Sequence, residues 1–347
     1  MTRCAIACMV LAAPCAAQRP QPWLAIDAGA LRDNQPLSRV QAQLEYGRYL
    51  TDDIGVMLLA DVVHSAAGDA SSNSPAAGAA VIAGVPALRL GTVMGARLLA
   101  QPASSTRLLW HARANMRLGA DVQLRAHMQR DRYMATSASL DTVVLVRNAE
   151  IALDRSGAPG WAGVVALRRD DYDDDNHVNS AYAWLLVPLR RAVTHSFRAG
   201  YAVGWQDSPQ SRWVAAPEQQ PPRGPAAVPG AIVPGTYDPY YTPHDQLTHS
   251  LIADAALAAG SGWLKFNGMV GVRATELAPQ LRNGGPLAPA GTIEFVERSF
   301  TPYRAGASWW APLNQLTFVT LDVEYARTAF YDMTRARLKF LRVFGGR

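Results

Sequence analysis

From Arg107 to Gln129 the chain alternates almost without a break. Leu108, Trp110, Ala112, Ala114 and Met116 take turns with Arg107, His111, Arg113, Asn115 and Arg117. The pattern resumes as Ala120, Val122, Leu124, Ala126 and Met128 against Asp121, Gln123, Arg125, His127 and Gln129. Successive side chains point to opposite faces only in an extended strand, so a period of two means one apolar face and one polar face; a helix cannot use it. The stretch is either one very long strand or two strands joined by a turn near Gly119.

The same period recurs along the chain. Val40, Ala42, Leu44 and Tyr46 alternate with Gln41, Gln43 and Glu45; Phe197, Ala199, Tyr201 and Val203 with Ser196 and Arg198; Phe266, Val270 and Val272 with Lys265, Asn267 and Arg273. Near the end, Val319, Leu321, Val323 and Tyr325 oppose Thr320, Asp322 and Glu324, and Ala336, Leu338 and Phe340 oppose Arg335, Arg337 and Lys339. A soluble sandwich also alternates, but it needs a separate apolar core between its sheets. Here arginine and acid share the polar face of nearly every segment. A closed antiparallel barrel, apolar outside and water-filled inside, accounts for both faces and leaves no sheet edge unpaired in hydrocarbon.

Beyond the N-terminal segment no uncharged apolar run approaches the ~18 residues that a membrane-spanning helix needs. The nearest, Ala76 to Leu88, is short and holds Pro86. The expectation is therefore an all-β, up-and-down transmembrane barrel of about sixteen strands, fourteen if the turn near Gly119 and one weak strand between Gly78 and Ala100 are lost. The strands begin near Trp23, Val40, Ile54, Gly78, Leu90, Arg107, Ala120, Thr142, Gly160, Asn179, Ser196, Leu247, Gly262, Ser299, Leu316 and Tyr331. Short links at 51–53, 156–159, 190–195, 260–261 and 311–314 all follow even-numbered strands. Long links at 65–77, 170–177, 207–246 and 276–298 all follow odd ones. Barrels of this kind have short periplasmic turns and longer external loops, so the long links face outward and both termini face the periplasm.

The first residues, MTRCAIACMVLAAPCAAQRP, carry a basic start, an apolar stretch and small residues, which predicts a secretory signal over residues 1–17 and a barrel over 18–347. A lipid anchor on Cys15 is the rival reading, disfavoured by Pro14. All three cysteines lie in this segment, so the exported chain has no disulfide and no thiolate metal site. The formal charge is +5, carried almost wholly by arginines scattered at every second position rather than clustered on one face, which argues against nucleic acid and for lumen and rim charges and attraction to anionic lipopolysaccharide. Trp110, Trp161, Trp184, Trp205, Trp263, Trp309, Trp310 and Tyr325 fall near strand ends, where interfacial aromatic girdles form.

The expected pore lining is Glu45, Arg113, Arg125, Arg198, Arg273, Asp322, Glu324, Arg335 and Arg337. The proline-rich stretch within 207–246 excludes regular helix and sheet, and it either folds into the pore as a constriction or shields the surface. Asp171, Asp173 and Asp175 offer alternate hard oxygen ligands that could hold calcium, although a solvated acidic loop is the plainer reading. No catalytic residue is assigned and no cofactor is expected. His195 beside Ser196, and His249 beside Ser250, sit on opposite faces of a strand and cannot act as base and nucleophile.

The C-terminal third, from YDPYYTPHDQ (Tyr237 to Gln246) through the closing segment Tyr303 to Phe344, resembles the barrel of the exopolysaccharide-export outer-membrane proteins, the family of the poly-N-acetylglucosamine and cellulose exporters and their stand-alone relatives. No helical repeat precedes it here. The resemblance implies an outer-membrane location in a Gram-negative bacterium and a path for glycan. The expected role is a porin-like conduit for polar solutes or glycans. The alternatives are a plugged structural or surface-binding barrel that works through its loops and, as a minor reading, a barrel hydrolase. The expected partners are the bilayer with its lipopolysaccharide, the barrel-assembly machinery and a polar solute or glycan.

Overall fold

In the computed structural model, sixteen antiparallel strands close into one barrel. The described residues are 21–345 except 35–36, 69, 101–105, 134–139, 141–143, 156–159, 216–231, 234 and 283–291. The segment read as a secretory signal lies outside them. In chain order the strands are β1 (Trp23–Asp33), β2 (Leu37–Tyr49), β3 (Ile54–Ala67), β4 (Ala70–Val85), β5 (Leu90–Leu99), β6 (Arg107–Arg117), β7 (Val122–Tyr133), β8 (Val144–Arg155), β9 (Ala162–Tyr172), β10 (His177–Arg191) and β11 (His195–Asp207). Then come three short strands, β12 (Trp213–Ala215), β13 (Ile232–Val233) and β14 (Gly235–Tyr237). The wall resumes with β15 (Gln246–Ala259), β16 (Gly262–Arg282), β17 (Thr292–Ser299), β18 (Tyr303–Asn314), β19 (Thr317–Arg327) and β20 (Asp332–Val343). β17 and β18 are two halves of one wall strand: β17 pairs with the outer part of β16 and β18 with its inner part. Closure comes from β1 against β20, Trp23 opposite Val343 through Asp33 opposite Met333.

The stretch from Arg107 to Gln129 is two strands, with Leu118 and Gly119 both donating backbone N–H bonds to Val122 across the turn. Sixteen is thus the count, and the alternative of fourteen falls. Among the described residues short turns follow the even-numbered wall strands as expected, the link at 156–159 lying outside them; at Gly260 a φ of 61° lets the chain reverse in two residues between β15 and β16. Several outer links are shorter than the sequence pattern suggests, because the ladder runs on past the hydrocarbon. β3 and β4 pair as far as Ala67 opposite Ala70, and His64 Nδ1 lies 2.9 Å from Asn73 Oδ1 across them. Both faces are wet there, so apolar alternation disappears while pairing does not. Likewise β9 reaches Tyr172 and β10 starts at His177, and β16 extends to Arg282.

The outward face is aliphatic. Leu58, Met94, Val165 and Leu167 each expose about 60% of their surface (58, 61, 60 and 59%), and the exposed set continues around the barrel through Val62, Leu185, Leu251 and Leu338. A water-soluble protein avoids a contiguous apolar surface of this extent; a bilayer requires it. On β8 the band is bracketed by Arg147 and Arg155 with Ala149, Ile151 and Leu153 between. Eight residues at about 3.4 Å each, tilted by ~40°, span ~21 Å, close to the ~25 Å apolar height of such barrels. Arg155 lies 4.0 Å over the ring of Trp161, which is 45% exposed at the inner boundary. Not every expected girdle residue faces lipid. Trp184 packs inward against Ala152, Val164 and Ala166, and Trp310 stacks on Phe318 on the inward face with Trp263 opposite it. The lumen accepts aromatic rings as readily as the interface does, so strand-end position alone does not sort them.

Candidate functional site

Arginines of the inward face reach acids on neighbouring strands all round the barrel. Arg337 Nε donates to Asp27 at 2.7 Å, across the β20 and β1 closure. Arg125 meets Asp154 at 3.1 Å between β7 and β8, and Arg198 Nε meets Asp254 at 2.8 Å between β11 and β15. Glu324 of β19 is shared by Arg304 at 3.1 Å and Arg335 at 2.6 Å, while Ser308 donates to Asp322 at 2.5 Å. Asp61 of β3 receives both Arg97 of β5 and Arg132 of β7. Arg132 crosses β4 on its way, donating also to the backbone carbonyl of Ser74, beside the small inward residues Ala76 and Ala80. Pairs of this kind, partly wetted, each contribute roughly 0–1 kcal/mol. Their stronger effect is to hold charge of both signs against the lumen, which favours hydrophilic contents.

The predicted residues fall as follows. Glu45, Arg113 and Arg337 line one cavity. Arg125, Arg198, Asp322, Glu324 and Arg335 sit in the inward pairs just described. Arg273 stands apart: the register shifts between His249 and Ser250, so Arg273 lies opposite His249 and is exposed together with Val272. His249 in turn accepts or donates at 2.7 Å with Tyr201, an exposed residue, while Ser250 is buried. Asp171, Asp173 and Asp175 are not gathered: Asp171 takes Arg169 at 2.8 Å, Asp173 takes Arg130 at 3.6 Å, and Asp175 turns the chain at φ 63°. Among the described residues no three His, Cys, Asp or Glu side chains converge on a metal-sized position. The acids Asp27, Asp61 and Asp254 were missing from the expected lining, although each is the lone charge in an otherwise apolar alternating run.

The outer mouth is crossed by chain between β11 and β15. Its two described limbs pair as β12 and β14, Trp213 opposite Tyr237. On one side Tyr240, fully buried, stacks on Tyr172 with centroids 3.6 Å apart, in a cluster with Val144 and Val178 of β8 and β10. Its hydroxyl donates to Asp174 at 2.7 Å and accepts from Arg212 Nε at 3.2 Å. On the other side Tyr241 stacks on Phe330, between β19 and β20, and donates to Glu276 of β16 at 2.6 Å. Glu276 also holds Gln246 at 2.9 Å and Arg298. The segment is thus fastened to opposite walls. Burial lifts the Tyr240 phenol to about 12, aided by Asp174 and opposed by Arg212, and lifts Tyr241 well above its ordinary value, so both remain hydrogen-bond donors. Burial also lowers His244, whose ring packs edge-on against Phe295. The outer end of β8 leans into the same mouth and buries both faces, Val144 against Tyr240 and Leu145 against Ala76, Leu99 and Leu109.

No family model matches the sequence, and no curated protein matches it. Among solved structures the chain is similar to a bacterial polysaccharide outer membrane secretin, at 8% identity and a TM-score of 0.65, over 95% of this chain and 100% of that one. Matches to CdiB from Acinetobacter baumannii (10% identity, 94% of this chain and 61% of that one, TM-score 0.45) and OccK5 from Pseudomonas aeruginosa (10%, 94% and 98%, 0.42) are looser. The likeness is one of fold, and it agrees with the resemblance carried by the C-terminal third. With its closed wall, lipid-facing aliphatic belt and charged interior, this chain is a sixteen-stranded outer-membrane β-barrel.

Proposed function

We propose that the barrel is a conduit for polar solutes or glycans, governed at its outer mouth by the segment between β11 and β15. The observation that carries this reading is the ring of cross-strand ion pairs on the inward face, a lining that water and hydrophilic permeants satisfy and lipid or a packed apolar plug does not. On this reading Glu45, Arg113, Arg125, Arg198, Asp322, Glu324, Arg335 and Arg337 line the path. Residues 1–17 direct export and are removed, the assembly machinery of the outer membrane inserts the chain, and lipopolysaccharide meets its outer rim. A second reading, a plugged barrel acting through its loops, is favoured by the complete burial of Tyr240.

Arg335→Gln with Arg337→Gln tests the conduit. It leaves Glu324 and Asp27 with less compensation, so in planar bilayers the cation-to-anion permeability ratio should rise several-fold. An unchanged reversal potential would remove both arginines from the permeation path.

A further inference from the structure

Arginine carries nearly all the positive charge of this chain, and its only two lysines, Lys265 and Lys339, face the lumen on one wall. Lys265 of β16 lies opposite Ser308 of β18, and Lys339 of β20 lies opposite Thr320 of β19 on one side and Asp27 of β1 on the other. Among the described residues neither lysine side chain has a hydrogen bond or an ion pair. The acids around them are engaged elsewhere: Asp27 by Arg337, Glu324 by Arg304 and Arg335, Asp322 by the Ser308 hydroxyl, and Glu45 by Gln43. The pairs of this wall thus close without either ammonium, a compact charge with three donors on a flexible stem. Aromatic rings lie between the two. Trp263, Trp310, Thr320 and Lys339 are successive partners across β16, β18, β19 and β20, at the end of the lumen where the short turns lie. Lys265 stands above Trp263 on the same face, two residues on. Trp310 also stacks on Phe318, centroids 5.7 Å apart and planes within 18°. Trp263, Trp310 and Phe318 are all half-buried, so each leaves part of a ring open to the lumen. Three strand spacings separate Trp263 from Lys339, roughly 14 Å of wall with a lysine at either end.

We infer that this row is a binding track for an acidic glycan, its sugar rings lying on Trp263 and Trp310 and its carboxylates reaching Lys265 at one end and Lys339 at the other. A pyranose has a face of C–H groups that buries against an aromatic ring and an edge of hydroxyls that suits Thr320 and Ser308. Acids on successive sugars spread charge along the polymer, as the two lysines spread it along the wall. Other ligands answer only half of the row. An inorganic anion has no use for the rings, a neutral glycan leaves both ammonium groups unanswered, and an acidic peptide brings charge without ring faces. Single-stranded nucleic acid stacks too, but with a phosphate at every nucleotide it calls for a basic groove along its whole length, which two lysines do not make. The inference rests on the conduit reading for its physiological sense, since it names the class of polymer that the conduit would carry.

The test is calorimetric titration of the full chain, folded in detergent, with hexagalacturonate, maltohexaose, hexaglutamate and hexathymidylate. Hexagalacturonate should bind roughly tenfold or more tightly than any of the others, because it alone combines sugar ring faces with charge-assisted contacts at both ends of the row. Lys265→Gln and Lys339→Gln should each weaken hexagalacturonate several-fold and leave the weaker binding of maltohexaose unchanged, whereas Trp310→Ala should weaken both sugars. Each variant is checked for the heat-modifiable gel mobility of a closed barrel, and Trp263→Ala serves if Trp310→Ala fails to fold. The amines give a second readout on the unmodified protein: apart from the amino terminus an acetylating reagent has only these two lysines to modify, and bound hexagalacturonate should slow their modification several-fold. A neutral, peptide or nucleotide hexamer that binds as tightly as the uronate, an unchanged affinity in the folded lysine variants, or amines that the uronate does not protect would overturn the inference. These readouts need no current. A barrel that binds hexagalacturonate yet never conducts would defeat the conduit and leave the track standing; one that conducts without such binding would do the reverse.

Discussion

Tyr240→Ala combined with Tyr241→Ala should raise the single-channel conductance of the barrel several-fold over the unmodified protein. The two side chains fasten the mouth-crossing segment to opposite walls: Tyr240 by its stack on Tyr172 and its bond to Asp174, Tyr241 by its stack on Phe330 and its bond to Glu276. Truncating one buried aromatic costs about 3–5 kcal/mol. Losing both should exceed what holds a surface segment in place, since such segments open locally at far lower cost than the wall. The wall residues that meet these two side chains, among them Tyr133, Val144, Tyr172, Val178, Gln246 and Glu276, lie at the outer ends of their strands, so the closed barrel should survive and keep its gel-mobility shift. Continued silence in the double variant would favour the plugged barrel, and a parent protein that already conducts at the variant's level would show that the segment does not restrict the path. The single variants should fall between, because either anchor alone leaves the segment tethered at one side.

The barrel wall was legible in the sequence because two solvents meet it on opposite faces. Where one face touches hydrocarbon and the other water, alternation is forced residue by residue, and the sixteen strands could be placed from it together with the parity of their links. Legibility ends where that contrast ends. Above the hydrocarbon β3 and β4 are wet on both faces, so a continuing ladder reads as a loop through SSNSPAA. A register shift such as that between His249 and Ser250 leaves no trace in composition, yet it moves Arg273 from the face that simple alternation assigns. Ion pairs that join residues far apart in the chain, such as Arg132 with Asp61, depend on the curl of the wall, which spacing does not encode. The tyrosines that fasten the mouth were visible only as YDPYYTPHDQ, a proline-rich stretch whose partners on β8 to β10 and β16 to β20 are set by closure of the barrel.

Ile151→Arg should destabilise the barrel by about 2–4 kcal/mol, the cost of an arginine at the middle of the apolar band. Ile151 is half exposed on the outward face of β8, four residues from Arg147 and four from Arg155, so a guanidinium there has nearly the longest possible reach to either headgroup layer. Its neighbours in register, Ala126 and Leu167, offer no carboxylate. The adjacent residue Glu150 points the other way, into the water-filled side, so Glu150→Gln should change stability by less than ~1 kcal/mol even though it removes a charge one residue away. Refolding into lipid vesicles across a denaturant series, followed by gel mobility, measures both. A large loss for Ile151→Arg beside a small one for Glu150→Gln is the signature of a wall with hydrocarbon on one side and water on the other. Equal effects would mean that the exterior of this strand does not face lipid, and the outward aliphatic belt would then need a protein partner to cover it.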